Sequence, residues 1–281
     1  MALIWQHARG ILEFGDRPLL AGILNVTPDS FSDGGCYTTL ENAMSRAEEI
    51  LRAGAQIIDI GGESTRPGAA SVPEDEELRR VIPIISAIHQ RWPLAVISID
   101  TYKAKVARQA VAAGAAIIND VSGGQWDADL LPVVAAGDAG YIAMHSLDRP
   151  ERMQLQPAYD DVTRTVSGFL RELGDRLERL GVARERVIYD AGLGFGKNAE
   201  HNLQLLRATA TWRELGRPLM WGLSRKSFLS HILNVSLPDR LAGALAVYGR
   251  LLQHGGPQVW RVHEVEQCAQ FIDMWFRLAQ P

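Results

Sequence analysis

AVISIDTYKAKVARQAVAAGAAIIND, residues Ala95 to Asp120, holds one repeating unit of the chain: a short apolar run, a polar exit, a helical segment, a glycine among small residues, and the next apolar run. Val96 to Ile99 and Ile117-Ile118 lack the alternation of a half-exposed strand, which is the pattern of strands covered on both faces. Ala112-Ala113-Gly114-Ala115 reads as a helix end, with glycine as a left-handed C-cap. The runs exit through Asp100 and through Asn119-Asp120.

The same unit recurs in both directions. Further unalternating runs lie at Leu19 to Val26, Ile57 to Ile60, Tyr141 to Met144, Val187 to Tyr189, Leu219 to Leu223 and Val259 to Val262. Between them, Ala43, Ala47, Ile50 and Leu51, or Leu78, Val81, Ile82 and Ile85, place apolar residues on one helical face. Glycine endings of the same kind occur at Arg52-Ala53-Gly54-Ala55, Ala135-Ala136-Gly137-Asp138 and Gln253-His254-Gly255-Gly256. Eight strands, each followed by helical sequence, predict an α/β fold of the closed (β/α)8 TIM barrel type. In front, Ile4-Trp5 and Ile11-Leu12 around Gly10, with a second turn at Phe14-Gly15-Asp16, predict an N-terminal β-hairpin closing the bottom of the barrel. No linker or composition shift divides residues 1–281, which are expected to form one domain.

The 281 residues, 47% hydrophobic and 22% charged, have the composition of an ordinary globular protein. A net charge of -4 leaves no basic excess for a phosphate backbone, so nucleic acid is not expected as a partner. Cys36 and Cys268 are too few and too far apart for a disulfide framework or a zinc site. Neither a signal peptide nor a membrane span is apparent, since charges such as Asp138 interrupt the longer apolar stretches. A cytoplasmic protein is the expectation.

In such barrels chemistry gathers where the strands end. The eight exits here carry Asn25; Asp59 with Glu63 beyond; Asp100; Asn119 and Asp120; His145; Asp190; Ser224 with Arg225 and Lys226; and Arg261 with His263. Singly, each of these is as well explained as a helix cap or loop tie. Together, carboxylates, amides and cations around one mouth suit a polar heterocycle plus an anion. Two glycine-bearing loops, Asn25 to Gly35 and Gly61 to Gly68, are longer than a connection needs. Asn25 and Asp33 offer hard oxygen ligands for Mg2+, although an Asx-turn loop shaped by Pro28 accounts for the first loop equally well.

The chain resembles the dihydropteroate synthase family through GILNVTPDSFSDGG at Gly22 to Gly35, DIGGESTRPGA from Asp59, SIDTYKAKVA from Ser98, INDVSGG from Ile118, MH at Met144, GFGK from Gly194, SRKSF from Ser224 and RVHEV from Arg261. These blocks span nearly the whole chain, and the first, second and seventh are the most specific. The resemblance implies condensation of 6-hydroxymethyl-7,8-dihydropterin diphosphate with 4-aminobenzoate to 7,8-dihydropteroate and pyrophosphate. It implies pterin contacts from Asp100, Asn119, Asp190, Lys226 and Arg261, and a diphosphate site at Asn25, Arg261 and His263. Mg2+ would be held by Asn25 and Asp33. An aminobenzoate pocket would come from Phe31, Thr65, Arg66, Pro67, Phe195, Lys226 and Ser227, where sulfonamides would compete. Asn25, Asp33, Lys226, Arg261 and His263 are the implied catalytic set. Ionisation before attack would make a general base unnecessary, and a homodimer through the late helices is the family expectation.

Ala191 replaces a usual proline, Ser146 to Gln154 keeps little of the family's loop after MH, and Ala244 stands where a hydroxyl residue is common. None removes a proposed catalytic group, though the loop after His145 is put in question. A methyltetrahydrofolate-binding barrel of a corrinoid methyltransferase also holds a pterin with Asp and Asn, but needs neither NVTPDSF nor SRKS. A non-catalytic paralogue is expected to have lost residues from the two long loops, which are intact.

Overall fold

The computed structural model describes residues 3–26, 36–236, 239–254 and 256–278, with backbone alone at 36–39. Eight parallel strands, β3 (Leu19–Asn25), β4 (Ile57–Gly61), β5 (Val96–Asp100), β6 (Ile117–Asp120), β7 (Gly140–Met144), β8 (Val187–Asp190), β9 (Leu219–Trp221) and β10 (Gln258–Val262), close into a barrel in sequence order, with β10 pairing β3. Each expected strand is present. β9 is shorter than its apolar run because the chain leaves the ladder after Trp221, and Leu223 N–H donates to the Tyr248 hydroxyl instead (3.4 Å).

Helices α1 (Cys36–Arg52), α2 (Glu74–Arg91), α3 (Ala104–Ala113), α4 (Leu130–Ala136), α5 (Val162–Arg179), α6 (Ala199–Arg207), α7 (Thr209–Glu214), α8 (Ser227–Leu233), α9 (Arg240–His254) and α10 (Val265–Leu278) occupy the intervals between strands and follow the last one. Strand residues alternate between two apolar clusters. Ile58, Ile60, Ile97, Ile99, Ile118, Tyr141, Val187 and Trp260 pack outward against the helices. Ala21, Ile57, Ile117, Ile142, Ile188, Met220 and Val259 face inward and fill the lower barrel. That twofold alternation decides which later residue on each strand reaches the mouth.

β1 (Leu3–His7) and β2 (Gly10–Phe14) form the antiparallel hairpin, with Trp5 opposite Leu12. Trp5 is fully buried among the inward residues and its indole N–H donates to Arg186 O (3.0 Å), so the hairpin plugs the barrel floor. Gly114 takes φ 123 as expected of a C-cap, and a Cβ there would stand 2.6 Å from the His89 ring. Gly54 and Gly256 also have positive φ, while Gly255 lies outside the described residues. Gly137 departs from the expectation, with φ -119. The α4 end is closed differently: the Arg186 guanidinium donates to Val134 O (2.7 Å), a last-turn carbonyl that a glycine cap would otherwise serve, and also to Ala139 O (2.7 Å) just before β7.

Candidate active site

Two residues above each inward apolar residue stands the next inward one, and there the polar exits converge. Ile57 leads to Asp59, Ile117 to Asn119, Ile188 to Asp190 and Val259 to Arg261. Arg261 binds two strands' carboxylates at once, Nε to Asp59 Oδ2 (2.5 Å) and an NH2 nitrogen to Asp100 Oδ2 (2.6 Å). Asn119 Nδ2 donates to Asp59 Oδ2 (3.2 Å). Asp100 Oδ1 and Asn119 Oδ1 are buried with no partner among the described residues, two acceptors that call for N–H donors. Burial pushes Asp100 up to about 7, with Arg261 opposing and Asp59 reinforcing. For Arg261 burial opposes the charge, but Asp59 and Asp100 more than offset it and hold the guanidinium firmly charged.

Asp120, one residue past Asn119, faces the other way. Its carboxylate accepts from Ser122 N and Oγ, Gly124 N and the Tyr141 hydroxyl, so it folds the loop after β6 and takes no part in the mouth.

After β8, Asp190 Oδ1 accepts from Gly192 N (2.7 Å), and Gly192 turns at φ 67 where a Cβ would come within 1.9 Å of His145 O. No side chain fits that approach. The turn brings Phe195 and Lys197 inward. Lys197 Nζ lies 3.1 Å from His145 Nδ1 and donates to Phe195 O (3.0 Å). Burial lowers Lys197 to about 7, and burial with the Lys197 charge lowers His145 to about 3. His145 is thus a buried ring tied to Lys197, a contact that joins the β7 and β8 exits. Lys197 belongs to GFGK, but nothing in its spacing marks it as the buried lysine.

Lys226 Nζ sits 4.2 Å from the centroid of the Phe195 ring. Burial lowers it to about 8, against Asp190, which favours the charge. Preceding it, Arg225 holds φ 61, left-handed for a residue with a Cβ. Arg225 Nε donates to Glu264 Oε1 (2.8 Å) and its carbonyl accepts from Arg240 (2.6 Å), contacts that maintain this turn and aim Lys226 inward. Ser227 is the exposed first residue of α8.

His263 Nδ1 lies 2.9 Å from Ser224 Oγ, and its carbonyl accepts from Arg46 (2.5 Å). Burial, then Arg225, Arg261, Arg66 and Arg46, lower His263 to about 3. The positive charge around His263 is therefore carried by arginines. Arg46, on α1, has no signal in the sequence.

Thr65, Asn119, Asp190, Phe195, Lys226 and Arg261 line one pocket. Asn25, at the end of β3, is half-buried; its Oδ1 and Asp100 Oδ2 lie equally far, 3.6 Å, from where a Gly61 Cβ would stand. Arg66 and Pro67 are solvent-exposed on the loop after β4. Phe31 and Asp33 lie outside the described residues. A second hollow opens beside Leu219 and Gln258, the first residues of β9 and β10, at the end of the barrel away from these groups.

A parallel barrel whose C-terminal mouth combines buried carboxylates, an amide, two buried-facing cations and an arginine cluster defines a barrel enzyme for a polar heterocycle carrying an anion. Residues 21–263 match the family of pterin binding enzymes. The dihydropteroate synthase of Synechocystis sp. is 44% identical over 261 residues, 92% of this chain and 90% of that one. The Xanthomonas albilineans dihydropteroate synthase, solved with 4-aminobenzoic acid, superposes with a TM-score of 0.91 at 39% identity, covering 100% of both chains. The Yersinia pestis enzyme, solved with a sulfonamide drug complex, gives 0.89 at 40% identity, covering 98% of this chain and 100% of that one. The chain belongs to the pterin-binding enzyme family, among the dihydropteroate synthases, and is a transferase.

Proposed function

We propose that the chain joins 6-hydroxymethyl-7,8-dihydropterin diphosphate to 4-aminobenzoate, forming 7,8-dihydropteroate and pyrophosphate. The observation that carries this reading is the Asp59–Arg261–Asp100 bridge beside Asn119, with Asp190 and Lys226 in the same mouth. A pterin edge presents adjacent N–H donors, from which Asp100, Asp190 and the amide oxygen of Asn119 accept, while Lys226 serves its ring acceptors. The Arg261 plane is free to lie along the heterocycle. The C–O bond at the pterin methylene breaks first and pyrophosphate leaves with that electron pair; the arylamine nitrogen then bonds to the methylene carbon and passes its proton to the released pyrophosphate or to water. Arg261, with His263 and its arginine neighbours, stabilises the departing charge.

Among the described residues no three carboxylate, histidine or cysteine side chains converge as a metal cage. In this reading Mg2+ would be held by one or two protein oxygens and by phosphate, its usual manner. Asn25, beside Asp100 at the mouth, suits that arrangement, with Asp33 as the second proposed ligand. When bound, the ion supplies charge neutralisation on the leaving diphosphate.

Thr65, Arg66, Pro67, Phe31, Phe195 and Ser227 form the aminobenzoate pocket in this reading, and sulfonamides inhibit by occupying it. The reading extends to a homodimer through α9 and α10, the latter bearing exposed Met274 and Leu278, and to a cytoplasmic location. No helix of the described residues is long and apolar enough to cross a membrane. The test is pyrophosphate release from the dihydropterin diphosphate and Mg2+, with and without 4-aminobenzoate, and product mass. Release that requires aminobenzoate with dihydropteroate formed is expected; pterin bound without product would replace the reading with a non-catalytic pterin binder.

A further inference from the structure

Behind the mouth lies a buried ionic cluster that the reaction does not use. Lys103, three residues past Asp100, directs Nζ to Glu63 Oε2 (2.5 Å), Glu77 Oε2 (2.5 Å) and Val72 O (2.6 Å). These three acceptors occupy every donor an ammonium has. Glu63 also accepts from Val72 N (3.2 Å) and the Tyr102 hydroxyl (3.1 Å). The lysine side chain is 11% exposed and the two glutamates 5% and 1%.

Glu63 is the second residue after β4 and Val72 the second before α2, so the cluster pins both ends of the segment that carries Thr65, Arg66 and Pro67. Holding those ends together removes the closure entropy from the loop between them. An ammonium and two carboxylates carry a heavy desolvation cost, and a well-packed apolar trio would hold two strands and a helix at least as firmly. What the ions add is a defined loop position. The tip of the loop has a second tie, Gly68 N to Pro150 O (2.9 Å), and Arg149 next to that proline lies over the Tyr102 ring (5.4 Å). The unusual loop after β7 is thereby coupled to the same cluster.

The geometry points to Lys103, clasped by Glu63 and Glu77, as a positioning residue that sets the loop after β4 and through it the affinity for the aromatic acid, without touching either substrate. This rests on the reading that Thr65, Arg66 and Pro67 build that substrate's pocket. Burial alone would lower the Lys103 ammonium, but Glu77 and Glu63 more than offset it and raise it; at Glu77 burial outweighs the pull of Lys103 and moves that carboxyl upward as well.

Lys103→Met is expected to raise the KM for 4-aminobenzoate about tenfold, to leave 6-hydroxymethylpterin affinity by calorimetry within about twofold, and to speed hydrogen exchange across residues 63–72. Lys103→Arg is expected to recover part of the KM. Tyr102→Phe, which only trims the clasp, covers the case of misfolding and is expected to raise the same KM about threefold. Arg66→Ala separates the two ideas. If it raises the aminobenzoate KM while Lys103→Met and Tyr102→Phe do not, the clasp is wrong and the pocket stands. If none of the three moves that KM, the pocket reading fails. Equal losses of pterin and aminobenzoate affinity in Lys103→Met would overturn positional control and leave only general structural support.

Discussion

Asp100 and Arg261, 161 residues apart, meet at 2.6 Å across the mouth of the barrel, and the same guanidinium reaches Asp59 at 2.5 Å. The bridge leaves Asp100 with its other oxygen buried and without a partner among the described residues. One oxygen of this carboxylate is thus committed to the protein, and in the proposed reading the other accepts from the pterin.

Asp100→Asn should therefore weaken pterin binding by roughly 10- to 100-fold, the range for losing a hydrogen bond to a charged group. Calorimetry with 6-hydroxymethylpterin reads this directly, and unchanged affinity would remove Asp100 from the pterin edge.

The free protein holds Asp100 up to about 7, above its ordinary 3.8, whereas a pterin donating N–H groups favours the ionised form. Binding below pH 7 should release a proton and weaken as pH falls. The sign for stability is opposite: the preference for the protonated carboxyl stabilises the unliganded fold below about pH 3.8 and is lost as pH rises through 7. Proton release is measured by calorimetry in buffers of differing ionisation enthalpy, and no release at pH 6 would contradict the assignment.

Lys226, against Phe195 and near Asp190, stands between the two proposed substrate pockets. Lys226→Ala should reduce pterin affinity and raise the aminobenzoate KM, each by about tenfold or more. A defect confined to aminobenzoate would move Lys226 out of the pterin site.

Asn25→Ala and Asp33→Ala should lower turnover more than pterin affinity and shift half-saturation by Mg2+ to higher concentration. A normal rate with an unaltered magnesium dependence would end the metal role.

At the opposite end, Trp5→Ala removes the hairpin's buried plug and should cost about 3–5 kcal/mol of stability. Denaturant titration gives that number, while activity per folded molecule should hold; a small stability change would mean the hairpin merely covers the floor.

The eight strands were readable because runs buried on both faces leave an unmistakable apolar signature, and their polar exits marked the mouth. Orientation was less accessible. Asn119 and Asp120 look equivalent as strand-end residues, yet one faces the mouth and the other ties a loop. The buried Lys197–His145 pair and the arginines around His263 depend on contacts between distant elements, with Arg46 on α1 reaching His263 from 217 residues away. Gly137 misled because its helix end is served by Arg186, a partner that local sequence does not reveal.

The alternation along the barrel strands couples adhesion and chemistry in a single reading frame. Removing one residue within β6 would turn Asp120 toward the mouth and Asn119 toward the helices, and the same inversion would follow in any strand. Natural variation in this protein should accordingly spare the strands from insertions and deletions and place them in the connections, where length can change without exchanging inside for outside.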